Sequence, residues 1–301
     1  MSCTNFQRTI SLHKNVKYQS VILTIIEGDF QLVFENIELD TLVRYLHERL
    51  LFRISASPYK SHFLLKGSSL LFALDGFKAR PTIDIDLLGE RISNDRDNLK
   101  EVFQKVCAIE CEDDGVRFDA TSLELEPIAV EKKYPGTCVK VVAHLDTIVQ
   151  QVSVDIGFGD VVTPYPLSLD YPLLLPDVPA VELYAYSLET LIAEKFHAMV
   201  DRDESNSRMK DFFDVYQLFT NHEIDKELLA EAIVGTFKNR NTPYRENLAL
   251  FTDKFATDAT RNIWWKAFLK KIRWKEQIDF SVVMKCIKEN LQAYWNKETL
   301  G

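Results

Sequence analysis

The chain has 301 residues, enough to bury a substantial core in one large domain or two smaller ones. Hydrophobic residues make up 46% and charged residues 27%, which is ordinary for a soluble globular protein. The formal net charge of -9 repels nucleic acid over the molecule as a whole, so a polyanionic partner needs a local basic patch or metal ions.

In chain order, residues 21–26 and 30–34 flank Glu27-Gly28-Asp29 and read as a hairpin. From Asn36 the pattern turns helical: Leu39, Leu42, Val43, Leu46, Leu50 and Ile54 recur at helical spacing, with Asn36 as cap and Glu38 and Asp40 in the first turn. Phe63-Leu-Leu-Lys-Gly-Ser-Ser-Leu-Leu reads as a strand, a tight Gly67-Ser68 turn and a helix start. A loop follows at Asp75-Gly76, then the strand Arg80-Pro-Thr-Ile-Asp-Ile-Asp-Leu-Leu, and residues 98–107 form a helix. Residues 116–120, 122–126, 138–144 and 148–158 alternate or carry β-branched runs and read as strands. Residues 165–179, rich in proline, read as a turn-rich connection without regular structure. Beyond Ser187, a helix cap, the chain is helical almost to its end.

The five cysteines are Cys3, Cys107, Cys111, Cys138 and Cys286. Cys107 and Cys111 share a helical face, but no histidine lies near enough for a zinc site, so free thiols in a reducing cytosol are expected. No secretory signal pattern opens the sequence, and the apolar run 21–26 is far too short to span a bilayer. A cytoplasmic protein with no membrane partner is expected. The histidines form no metal-binding pair, and His197 reads as structural.

Asp84 and Asp86 flank one isoleucine, so on a strand both project from one face, about 7 Å apart along the chain. Ile83, Ile85 and Leu87 then point to the other face and into a core. Two like charges held together call for a counter-ion, and a hard divalent cation suits them. The strand–turn–helix at Gly67-Ser68 presents free backbone amides, which suit phosphate. In Val152-Ser-Val-Asp-Ile-Gly-Phe the hydrophobes Val152, Val154, Ile156 and Phe158 face a core, which leaves Asp155 beside Ser153 on the opposite face. Asp155 is a solvent-facing acid on one reading; on the other it completes a two-metal site and accepts a proton from an attacking hydroxyl. In the helix of Leu191, Ile192, Phe196 and Met199, Lys195 sits at the edge of the buried stripe, where a lysine is usually solvated. Asp211 and Asp214 share a face of a helix made apolar by Phe212, Phe213, Val215, Tyr216 and Leu218. They either pair with Lys195 or an arginine, or line a site. Finally, Arg261-Asn-Ile-Trp-Trp-Lys-Ala-Phe-Leu-Lys-Lys-Ile-Arg-Trp-Lys interleaves basic and aromatic residues, as a grip on single-stranded nucleic acid or a tRNA end does. The favoured reading is an amphipathic helix in which Ile263, Ala267 and Phe268 pack while Lys266, Lys270 and Lys271 face water.

The Gly67-Ser68 turn followed by Asp84-x-Asp86 resembles the nucleotidyltransferase superfamily that includes polymerase β. The blocks Lys66-Gly-Ser-Ser-Leu, Arg80-Pro-Thr-Ile-Asp-Ile-Asp-Leu, Leu191-Ile-Ala-Glu-Lys-Phe-His-Ala and Arg208-Met-Lys-Asp-Phe-Phe-Asp-Val-Tyr occur in the order of the AbiEii family. These are nucleotidyltransferase-like toxins of bacterial toxin–antitoxin and phage-defence systems, and the MenT toxins are similar. The resemblance covers roughly residues 38–219, with a looser match in the helical tail. It implies that Gly67 and Ser68, with Ser69 beside them, form the phosphate-binding turn and that Asp84 and Asp86 hold magnesium or manganese, to which the residue pattern adds Asp155 as a third carboxylate. Lys195 and Asp211 match the family's catalytic lysine and late aspartate, and Lys66, Arg80, Thr82 and Asp214 lie among the nucleotide contacts. Two departures stand out: the turn is Gly-Ser-Ser where many members have Gly-Gly, and fifteen residues separate Ser68 from Asp84, longer than the tightest superfamily spacing.

The expected fold is α+β (α/β): a polymerase β-like nucleotidyltransferase mixed sheet followed by a mainly helical C-terminal region. Residues 1–36 form a hairpin extension, 37–180 the nucleotidyltransferase core and 181–301 the helical domain. The expected function is that of a metal-dependent nucleotidyltransferase toxin of a type IV, AbiE-like toxin–antitoxin system. It transfers a nucleoside monophosphate from an NTP to an acceptor, the tRNA 3′ end in the leading reading, and is neutralised by an antitoxin encoded nearby. The alternatives are a nucleotidyltransferase acting on a protein or small molecule, and an NTP-binding module without turnover.

Overall fold

The computed structural model describes residues 8–11, 22–26, 29–33, 39–128 and 135–300. The chain divides into two compact units. The first comprises Met1–Ser69, Pro81–Phe158 and Leu169–Leu183; the second comprises Leu70–Arg80, Gly159–Ser168 and Tyr184–Gly301.

Strands β1 (Arg8–Ser11), β2 (Ile22–Ile26) and β3 (Asp29–Val33) form a three-stranded antiparallel sheet in that order. The expected hairpin is thus the β2–β3 pair, joined by a strand that the sequence did not announce. Its turn residues Glu27 and Gly28, and the expected helix cap Asn36 with Glu38, lie outside the described residues.

Helix α1 (Leu39–Ala56) packs on the later helix α3 (Arg96–Cys107) and on the sheet. Between them come β4 (Phe63–Leu65), α2 (Gly67–Asp75) and β5 (Asp84–Gly89). Three long strands follow: β6 (Val116–Ile128), β7 (Gly136–Leu145) and β8 (Ile148–Phe158). The two runs 116–120 and 122–126 are one strand, β6, interrupted by a register shift between Asp119 and Glu124. Strands β9 (Leu167–Tyr171) and β10 (Val181–Ala185) complete a seven-stranded mixed sheet of order β6-β7-β8-β5-β4-β10-β9. The fold is therefore α+β, as expected.

The 165–179 segment is a correction, because it contains β9. Of its prolines, Pro166 immediately precedes that strand and Pro172, Pro176 and Pro179 follow it, so none interrupts the ladder. A second correction concerns Ile83, which precedes β5 and is 75% exposed, while Ile85 and Leu87 are buried as expected. A third is Cys111, which lies past the end of α3 and shares no helical face with Cys107.

Charge reaches the interior on α1. Arg44, His47, Glu48, Arg49 and Arg53 are buried together with Leu46, Leu50, Leu51 and Ile54. Arg53 grips the Asp114 carboxylate with both terminal nitrogens and donates to the Val116 carbonyl at 2.7 Å. Glu48 accepts from the Leu174 amide at 2.6 Å, and Arg49 donates to the Pro179 carbonyl at 3.2 and 3.3 Å. The side chains of α1 thus satisfy backbone groups that a proline-rich segment cannot pair within itself.

The second unit holds α4 (Leu188–Arg202), α5 (Met209–Asn221), α6 (Lys226–Asn239), α7 (Asp253–Thr257), α8 (Ala259–Lys271), α9 (Phe280–Leu291) and α10 (Lys297–Leu300). Ser187 caps α4 by accepting from the Thr190 amide at 3.1 Å, as the sequence implied. The core is aromatic: Phe212 meets Phe280 edge to face at 5.4 Å, and Phe213 meets Trp274 at 4.9 Å. On α8, Ile263 and Ala267 face outward, contrary to the amphipathic reading, and Phe268 alone of the three packs inward, against Phe213. Among the described residues no helix is long and apolar enough to cross a membrane.

Candidate active site

Two groups of side chains emerge, one in each unit. The first is built on β5, which runs parallel to β8 with Asp86 directly opposite Asp155 and Asp84 opposite Ser153. Directly opposed residues on adjacent strands share a face, and strands lie about 4.8 Å apart. Asp84, Asp86, Ser153 and Asp155 therefore line one face, half-buried, while Ile85, Leu87, Val154 and Ile156 are buried on the other.

Helix α2 begins at the edge of this face. Gly67 has φ +58°, a conformation that glycine adopts without strain, and a Cβ there would lie 2.2 Å from Asp86 Oδ2. Glycine is thus required twice, by the turn and by the carboxylate lying over it. The Ser68 amide and hydroxyl both donate to Asp86 Oδ2 at 3.1 Å, and Thr82 Oγ1 lies 2.8 Å from the Ser68 hydroxyl. Ser69 Oγ donates to the Asp84 carbonyl at 3.3 Å, and the Lys66 amide donates to the Asp86 carbonyl at 3.0 Å. Every member of the proposed phosphate turn is therefore tied to the β5 carboxylate strand. Asp86 occupies the helix-terminal amide that the sequence assigned to phosphate, as an anion at a helix N-terminus does.

Among the described residues no three carboxylate, imidazole or thiolate groups converge in metal-binding geometry. The donor set nonetheless fits a hard cation: three carboxylates share one face by register, and oxygen is the ligand that magnesium and manganese favour. The adjacent sulfur does not compete. Cys138 lies opposite Asp155 on β7, and burial pushes its thiol up to about 12, helped by its hydrogen bond to Asp155. Magnesium and manganese take hard oxygen ligands in preference to sulfur.

The second group joins α4 and α5. Lys195 is only 8% exposed, not the solvated edge residue that its stripe position suggested. It donates to Asp214 at 2.6 Å and to Asp211 at 3.3 Å. Asp214 is also held by Arg80 through Nε at 2.8 Å and Nη2 at 3.0 Å, and Asp211 by Arg208 Nε at 2.7 Å. Burial works to discharge Lys195, but Asp214 and then Asp211 outweigh it and hold the amine above its ordinary value. Burial likewise opposes the Asp211 charge, and Lys195 and Arg208 overcome it and hold that carboxyl below its ordinary value. Three cations face two carboxylates, so the group carries a surplus positive charge suited to an anion. Asp211 and Asp214 thus pair with both the lysine and the arginines, the first of the two alternatives read from the sequence.

The sequence reading missed the buried α1 set. His47 is buried, and its imidazole is lowered to about 4 by that burial and by Arg44, against a hydrogen bond to the Ile83 backbone that raises it. The available signal was three arginines and a histidine at 44, 47, 49 and 53, inside an apolar helical run.

Residues 49–285 match the model of the AbiEii family, described as the nucleotidyl transferase AbiEii toxin of type IV toxin–antitoxin systems. The chain belongs to the AbiEii family. The matched span contains every candidate residue of both groups, from Lys66 to Asp214. Membership makes the chain one of a nucleotidyltransferase family whose systems pair a toxin with an antitoxin. Two Helicobacter pylori structures are similar in shape. One is assigned as a nucleotidyltransferase, at 16% identity and TM-score 0.49, covering 86% of this chain and 96% of that one. The other is JHP933, at 16% identity and TM-score 0.48, covering 86% of this chain and 92% of that one. Among curated proteins, none matches the chain.

Proposed function

We propose that this AbiEii-family chain transfers a nucleoside monophosphate from an NTP to an acceptor hydroxyl, with the tRNA 3′ end as acceptor, as the toxin of its pair. The observation that carries the reading is the join of the Gly67-Ser68 turn to the carboxylate face: Asp86 lies over Gly67 and directly opposite Asp155. The Ser68 amide and hydroxyl, with Ser69, Thr82 and Lys66 beside them, bind the triphosphate. Asp84, Asp86 and Asp155 hold magnesium or manganese, which neutralises phosphate charge and lowers the pKa of the attacking hydroxyl when bound.

The acceptor oxygen attacks the α-phosphorus, the new O–P bond forms, and the bond to the bridging oxygen breaks to release pyrophosphate. Asp155, a carboxylate on the same face, takes the acceptor's proton. Lys195, kept charged by Asp211 and Asp214, offsets the charge that develops on phosphate, and Arg80 steadies Asp214.

The test is incubation with labelled NTPs, magnesium and total tRNA. Label entering tRNA is the expected result, and Asp84→Ala abolishes it without unfolding the protein. Label on a protein or small molecule instead moves the acceptor assignment. NTP binding with no transfer to any acceptor overturns the enzymatic reading, and activity surviving Asp84→Ala overturns the site.

A further inference from the structure

On α8, Ile263, Trp264, Lys266, Ala267, Lys270 and Lys271 recur at helical spacing and are all exposed, Ile263 by 66% and Trp264 by 40%. The opposite face is anchored. Trp265 is buried and donates its indole N–H to the Ile278 carbonyl at 2.6 Å, Leu269 is buried, and Asp258 caps the helix by accepting from the Arg261 amide at 2.8 Å. The orientation of α8 is therefore fixed, and the exposure of its outer face follows from packing.

A solvated charge face accounts for three lysines but not for an isoleucine and a tryptophan placed among them. An exposed tryptophan beside exposed lysines supplies the two elements, a stacking platform and cationic charge, that a single strand takes. The stretch from Ala259 to Lys275 contains Arg261, Lys266, Lys270, Lys271, Arg273 and Lys275 and no Asp or Glu. Lys266, Lys270 and Lys271 have no ion pair among the described residues, so their charge is available to a ligand. Against the formal charge of -9, this is a local cationic stripe on an acidic molecule.

We infer that the outer face of α8 binds single-stranded RNA, with Trp264 stacking on a base and Lys266, Lys270 and Lys271 contacting phosphates; as a docking surface for the acceptor, it rests on the RNA-acceptor reading above. Lys266 and Lys270 are about 6 Å apart along the helix axis, one turn, so they meet a strand running along the helix. Protein partners fit this face poorly, because protein interfaces are depleted in lysine at their cores, and this face offers lysine around a single exposed tryptophan. Cationic residues tracking a backbone with an aromatic platform is the composition that grips single strands.

Fluorescence anisotropy with a short labelled single-stranded RNA, using the full chain without NTP, tests the surface. Three phosphate contacts give a log–log salt slope of about -2, so affinity falls roughly fifteen- to twentyfold between 50 and 200 mM salt. The variant carrying Lys266→Gln, Lys270→Gln and Lys271→Gln should lose that slope, and Trp264→Ala should weaken binding at least about fivefold. All four positions are exposed, and an unchanged thermal melt verifies the fold. Wild type that does not bind RNA, or variants that bind as wild type does, overturns the inference. Polyglutamate competing as well as RNA, with no effect of Trp264→Ala, also overturns it and marks a surface for acidic proteins. Asp84→Ala should bind RNA normally while transferring nothing. RNA binding through α8 without any transfer by wild type would sink the enzymatic reading and leave this surface standing.

Discussion

A single position, Gly67, joins the conformation of a turn to the placement of a carboxylate. A side chain at φ +58° costs about 1–2 kcal/mol, and the Cβ would displace the Asp86 carboxylate that Ser68 now holds. Gly67→Ala should leave a folded protein whose transfer rate falls at least about a hundredfold, the usual result of misplacing a reacting group by an ångström. Steady-state transfer measured beside a thermal melt checks it, and a normal rate would show that Asp86 has room to move. Lys195 makes a different demand. Lys195→Met leaves Asp211 paired with Arg208 and Asp214 with Arg80. It removes the buried charge-assisted hydrogen bonds of the lysine, so it should cost about 2–3 kcal/mol in urea unfolding. Asp211 lies below its ordinary 3.8, so its contribution is complete above that pH and is lost as pH falls through the depressed value. Lys195 lies above its ordinary 10.5, so its contribution is complete below that pH and is lost as pH rises through the raised value. The penalty for Lys195→Met should therefore be the same at pH 6 and pH 9.

Helix α1 illustrates how an element hides chemistry from its own sequence. Its apolar period is plain, yet Arg49 and Arg53 are buried because Asp114, Val116 and Pro179, far along the chain, accept their hydrogen bonds. Nothing local to α1 announces those acceptors. The same distinction separates what was legible elsewhere. Strands β5 and β8, helix α2 and the Ser187 cap were readable because alternation, a Gly-Ser turn and a capping serine act within a few residues. Strand β9 was not, because five residues beside a run of prolines carry too short a period, and β10 runs almost directly into the Ser187 cap. The alignment of Asp86 with Asp155 depended on a strand register that no local pattern specifies. On α8, the outward turn of Ile263 is decided by Trp265 and Leu269 winning the core positions. His47 turns the burial of α1 into a measurable quantity. With its imidazole lowered from 6.5 to about 4, the fold favours the neutral ring, so stability is complete above pH 6.5 and declines as pH falls toward 4. The loss is about 3 kcal/mol over that window. His47→Gln should flatten this acid limb relative to wild type in urea titrations; parallel curves would show that His47 does not titrate with folding.

At the scale of the whole chain, the first unit carries the carboxylates and the Gly67-Ser68 turn, and the second carries the Lys195 group and α8. Ligand linkage then separates their parts in the reaction. A nucleotide bound through the Gly67 turn and the carboxylate face stabilises the unit that contains them, by about 2.7 kcal/mol at a hundredfold excess over Kd. For a unit of that size the gain raises its melting temperature by roughly 5–10 °C. Calorimetry with a non-hydrolysable NTP analogue should show this shift in magnesium, lose it on chelation with EDTA, and lose it in Asp84→Ala. Lys195→Met should lower the starting temperature yet keep the magnesium-dependent shift, because the removed lysine belongs to neither the turn nor the carboxylate face. A shift that persists in EDTA would mean that the Ser68 amide and hydroxyl bind the nucleotide without a cation. In that case Asp86, which now occupies that amide, is displaced by phosphate alone.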